Sequence, residues 1–159
     1  MQKKVAVFLA WAFVAIWMIV IFSLSSQQAE ASNGLSKGVT EIIIDVVDRI
    51  CLIDIETSST QNWIDKLNSI VREYAHAGVF FVLAFFVIIA FRRSGLKGLN
   101  AFNVSFVLCI IYALIDEIHQ IFIAGRAFEL YDLALDCSGI LIGLYLYNVI
   151  ALIFRKIRQ

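Results

Sequence analysis

Four stretches of the chain, roughly 5–24, 75–91, 101–122 and 133–154, are dominated by apolar residues, each near the ~20 residues a helix needs to cross a bilayer. The first and last are the clearest. The second is short at its start, and the third stays apolar only to Ile115 before reading DEIHQ. Between the first and second spans the pattern changes. Val39, Ile42, Ile43, Val46, Val47 and Ile50 recur with helical spacing, while Glu41, Asp45, Asp48 and Arg49 take the other face. A second amphipathic helix is predicted after the capping-type run Thr57-Ser58-Ser59-Thr60, with Trp63, Leu67, Ile70, Val71 and Tyr74 as its stripe. Neither polar face is rich in Lys or Arg, which favours packing on the bundle over binding lipid headgroups. The expected fold is a single all-α domain, 1–159: an integral membrane bundle of four transmembrane helices with an extracytoplasmic amphipathic helical segment at 38–73.

Composition agrees with that pattern. The chain is 61% hydrophobic and 16% charged in 159 residues, more apolar than a soluble domain of this size can hide. A formal net charge of zero argues against a nucleic-acid partner. Lys3 and Lys4, then Arg92, Arg93 and Lys97, then Arg155, Lys156 and Arg158 flank alternate span ends. By the positive-inside rule both termini and the Arg92 loop face the cytoplasm, so DEIHQ belongs to the outer side. MQKK, an apolar run and Ala29-Glu30-Ala31 imitate a signal peptide. The run is longer than a secretory core of about 7–15 residues, and a retained anchor is expected. Cys51, Cys109 and Cys137 read as apolar filler, being odd in number and without CxxC spacing.

The chemistry sits around DEIHQ. On a helix Asp116, His119 and Gln120 share one face, below Tyr112, and Glu117 lies about a quarter turn away. Such a face is costly against lipid and should look into the bundle. In the fourth span Asp132, Asp136, Gly139 and Gly143 form one stripe, two acids giving way to two glycines that would let a neighbouring helix approach closely. Arg72 and His76 are four apart at the start of the second span, and Arg126 follows Gly125 in the turn before the fourth. These residues predict one polar pocket open to the outside. The spacing DEIHQ differs from HExxH-type metal motifs, and neither a metal nor another cofactor is expected.

The array DEIHQIFIAGRAFELYDLALDCSG, followed by Gly143, resembles the signature of VanZ-like membrane proteins. FSLSSQ after the first span and a basic residue four before a histidine also match. Position by position, the resemblance assigns the family's polar residues to Ser25, Ser26, Gln27, Arg72, His76, Asp116, Glu117, Gln120, Arg126 and Asp132. The chain departs in three places: Ala124 where proline is usual, Asp136 where asparagine is usual, and Val79-Phe80 where Glu-Tyr often follows the histidine. The resemblance implies a bacterial cytoplasmic-membrane protein associated with lowered susceptibility to lipid-anchored glycopeptides, teicoplanin above all. It supplies no biochemical activity.

Three functions compete. In the first, Arg72 and Arg126 recognise a membrane lipid, a lipid-linked cell-wall molecule or a lipoglycopeptide, with Ser25, Ser26, Gln27, Gln120, Asp132 and Asp136 around it. In the second, an enzyme modifies such a molecule, with Glu117 or Asp116 as base, His76 or His119 as acid partner and Arg126 stabilising negative charge. In the third, the charges only set helix register. A proton-coupled transporter fits poorly, since four spans show no inverted repeat.

Overall fold

The computed structural model describes residues 2–27, 60–124 and 126–157. These contain four helices, α1 Gln2–Ser25, α2 Thr60–Arg93, α3 Gly98–Gln120 and α4 Leu130–Ile157, each long and apolar enough to cross a membrane. The amphipathic helix expected at 39–50, Cys51, Gly125 and the Ala29–Ala31 site lie outside the described residues. The helix expected after Thr60 is present, but it runs without a break into the second span. No glycine or proline stands between Thr60 and Ala77 to end it. At 34 residues and 1.5 Å per residue, α2 is roughly 51 Å long and overshoots a hydrocarbon core of about 30 Å.

Cross-helix contacts fix an up-down-up-down bundle. Trp17 Nε1 donates to the Val79 carbonyl (2.8 Å) and Trp11 Nε1 to Ser94 Oγ (3.1 Å), which sets α1 antiparallel to α2. The Tyr112 hydroxyl donates to the Met18 carbonyl at 2.6 Å, tying α3 to α1. Hydrogen bonds between membrane helices average about 0.6 kcal/mol, so Tyr112→Phe is expected to lower bundle stability by roughly that amount in a denaturation series. α2 is the central helix, packed against all three others and most extensively against α4. Its Phe80, Leu83, Ala84, Val87 and Ile88 are buried, while Phe8, Ile19, Tyr145 and Leu152 point outward, as suits a lipid-facing surface.

The α2–α4 contact is close because of two glycines. A Cβ on Gly139 would collide with the Ala77 carbonyl, and one on Gly143 would lie 2.6 Å from the Phe81 carbonyl oxygen. The sequence stripe is therefore a helix-packing seam. At the other end of α2 the chain reverses through a Schellman turn. Gly95, at φ 107°, donates to the Arg92 carbonyl at 3.2 Å, and Leu96 donates to the Phe91 carbonyl at 3.0 Å. Arg92 Nη2 donates to Asn148 Oδ1 at 2.8 Å, and its guanidinium carbon Cζ lies 5.8 Å from the centroid of the Tyr147 ring. Cys109 and Cys137 are free thiols. Lys3, Lys4, Arg92, Arg93, Lys97, Arg155 and Lys156 gather at this end of the bundle, and the acids of the described residues gather at the other.

Candidate functional site

The acidic end is organised by α3. Its last turns carry Asp116, Glu117 and Gln120, which are 2%, 1% and 4% exposed, so two neighbouring carboxylates and an amide are buried in one bundle. Past Gln120 the backbone tightens into i→i−3 bonds: Phe122 N–H to the His119 carbonyl and Ile123 N–H to the Gln120 carbonyl, both 3.0 Å. Arg126 N–H then donates to the Ile123 carbonyl at 3.1 Å. This tight spiral folds Arg126 back over its own helix, where Nη1 donates to Gln120 Oε1 at 3.1 Å. Gln120 Nε2 in turn donates to Asp116 Oδ2 at 3.3 Å.

His76 of α2 joins the helices. Its Nε2 lies 3.2 Å from Asp116 Oδ2 on α3 and 3.6 Å from Asp136 Oδ2 on α4. The imidazole is an electrostatic bridge rather than a well-directed hydrogen-bond donor to either acid. The Gly139 seam makes this possible: α4 approaches α2 closely enough for Asp136, one turn before Gly139, to reach His76. A continuous polar chain thus runs Asp136, His76, Asp116, Gln120, Arg126 across three spans. Asp136 is itself 1% exposed.

Glu117 has its own tie, accepting a 2.8 Å hydrogen bond from the Glu129 backbone N–H in the turn before α4. Its other oxygen, Oε2, is buried without a hydrogen-bond partner, as are Asp116 Oδ1, Asp132 Oδ1 and both carboxylate oxygens of Asp136. Burial, and then the like charge of Arg72, push the Arg126 guanidinium below its usual range, while Asp116, Asp132 and Glu117 pull the other way. Arg72 is half-buried and within electrostatic reach of Arg126. Among the described residues no three His, Cys, Asp or Glu side chains converge as metal ligands.

The other expected residues are placed differently. His119 stacks on Phe22 of α1, ring centroids 4.4 Å apart, rather than joining the His76 chain. Ser25 is buried with its hydroxyl unpartnered. The Ser26 hydroxyl donates to the Phe22 carbonyl at 2.6 Å, closing the end of α1, and Gln27 N–H donates to the Leu24 carbonyl at 3.3 Å. Sequence reasoning missed the Glu129 N–H, since a backbone donor in a turn has no residue-type signature. It also set Tyr112 above the acids without its partner on α1.

A bundle of four apolar helices that buries carboxylates beside a half-buried imidazole and guanidinium at one end is a multi-pass membrane protein with a built polar site. The sequence matches the model of the VanZ/LLP1 family over residues 9–153, and the chain belongs to that family. No curated protein and no solved structure matches it.

Proposed function

We propose that this is a bacterial cell-envelope protein of the cytoplasmic membrane, its polar site outward, which recognises the head of a lipid-linked envelope molecule or lipoglycopeptide and lowers susceptibility to teicoplanin-type antibiotics. The observation that carries the reading is the Asp136–His76–Asp116–Gln120–Arg126 chain, charged groups from three spans gathered at one end. Buried charge in a membrane bundle is costly and marks function by default. Arg126 is the recognition residue: half-buried, anchored by an Nη1 bond to Gln120, its Nε without a hydrogen-bond partner among the described residues. A guanidinium in that position takes phosphate or carboxylate through a planar fork. The basic opposite end supports the orientation through the positive-inside rule.

Arg126→Ala is expected to abolish co-purification of envelope lipids, read by mass spectrometry of lipid extracts, and to return teicoplanin susceptibility to that of cells lacking the protein. The bundle should remain folded by size-exclusion chromatography. Undiminished lipid retention by the variant would sink this assignment.

One observation favours a second reading, an enzyme acting on the same class of molecule. Glu117 is held by the Glu129 N–H on one oxygen and leaves the other unpartnered, the arrangement of an oriented general base. Under it, Glu117→Gln retains the lipid but stops its conversion on incubation. Conversion at the wild-type rate would remove Glu117 from that role.

A further inference from the structure

Arg72 and Arg126 suit an anionic ligand, yet the site as built is short of positive charge. Four carboxyl groups, Asp116, Glu117, Asp132 and Asp136, with Glu73 and Glu129 in electrostatic reach of Asp132, face Arg72, Arg126 and the His76 imidazole, so acidic groups outnumber basic ones. The hydrogen-bond inventory is unbalanced in the same direction. Five buried carboxylate oxygens have no hydrogen-bond partner: Asp116 Oδ1, Glu117 Oε2, Asp132 Oδ1 and both of Asp136. Asp136 decides the matter, because it is 1% exposed and satisfied only electrostatically, by an imidazole 3.6 Å away. Buried acceptors left unmatched are expensive. What complements them is a cation that carries several N–H donors.

No set of three His, Cys, Asp or Glu side chains among the described residues is arranged to hold a metal ion. A primary ammonium suits spread oxygens better, with three donors in a tetrahedral fan. Access runs from the rim. His76, Arg126 and Asp132 are partly exposed, and Asp136 lies one helical turn, about 6 Å, deeper than Asp132 on the same face of α4. An anionic group on Arg126 and an ammonium reaching toward Asp132 and Asp136 would then lie on one short head.

We infer that the site takes a zwitterionic lipid head, a phosphate held by Arg126 and a primary amine held by Asp136 with Asp132. This rests on the recognition function proposed above and narrows its ligand to a class. The test uses the purified full-length protein in detergent, titrated with dioleoyl lipids that differ only in the head: phosphatidylethanolamine, phosphatidylcholine and phosphatidylglycerol. Bound lipid is read by native mass spectrometry. Choline keeps the positive charge and loses every N–H donor, whereas glycerol loses the charge as well.

The wild type is expected to retain phosphatidylethanolamine over both others by roughly tenfold, the scale of a charge-assisted hydrogen bond. Asp136→Asn is expected to bring phosphatidylethanolamine down to the level of phosphatidylcholine and to leave phosphatidylglycerol unchanged. Arg126→Gln should weaken all three alike. Equal retention of the three heads by the wild type, still dependent on Arg126, would overturn the amine inference and leave the recognition function standing. Equal retention indifferent to Arg126→Gln would overturn both. The comparison of heads is made on the wild type, so it holds even if Asp136→Asn fails to fold.

Discussion

Gly139→Val is expected to be the most damaging single substitution in the bundle, lowering stability by about 3 kcal/mol or more, the upper range for overpacking a well-filled contact. The Cβ position at Gly139 is already occupied by the Ala77 carbonyl, a backbone atom that cannot step aside as a side chain can. Relief requires α2 and α4 to separate. In lipid, apolar surface gives no preference for helix over hydrocarbon, and association rests on close packing and polar contacts. Separation would cost both, because the same approach carries Asp136 to within 3.6 Å of His76. The variant should therefore lose thermal stability in detergent and lipid retention together. Gly78 supplies the control, since a Cβ there meets nothing within 4 Å. With glycine about 1 kcal/mol worse than alanine inside a helix, Gly78→Ala is expected to be neutral or stabilising. Equal loss at Gly78 and Gly139 would mean that the seam is not what holds α2 to α4.

That seam was legible in the sequence, and so was much of the bundle, because the signals involved are local. A run of about 20 apolar residues admits few structures other than a spanning helix, and Asp132, Asp136, Gly139 and Gly143 show their common face through spacing alone. The placing of Asp116 and Gln120 on one face was readable for the same reason, and the structure joins them at 3.3 Å. What spacing cannot give is the rotation of α3 against its neighbours. Glu117, about a quarter turn from Asp116, is buried too, because α3 is packed against both α2 and α4. His119, grouped with Asp116 by spacing, stacks on Phe22 because α1 is packed on that side. Nor does spacing reveal the turn after Gln120: it is the succession of i→i−3 backbone bonds that returns Arg126 to Gln120. The continuity of α2 from Thr60 has no marker of its own in the sequence. The pattern changes from amphipathic to uniformly apolar near Tyr74, and the helix runs on through the change.

The contact between His76 and its two acids separates a working site from a scaffold. His76→Leu is expected to cost about 3–5 kcal/mol, the scale for removing one partner from a buried charge network. It leaves the carboxylates of Asp116 and Asp136, 2% and 1% exposed, without the imidazole that lies between them. Replacing the whole group is a different experiment. In His76→Leu/Asp116→Leu/Asp136→Leu the buried charges vanish together, and apolar side chains of similar volume commonly restore or exceed the original stability. Among the described residues, the hydrogen bond forfeited is the long 3.3 Å contact from Gln120. The triple variant is therefore expected to unfold at or above the wild-type midpoint in a denaturant titration and to retain no envelope lipid. The paired result carries the argument, since stability recovered without lipid retention shows that the charges are kept for what they bind. A triple variant that is stable and still holds lipid as the wild type does would reduce the network to a device for setting helix register, and the recognition site would have to be sought elsewhere on the bundle.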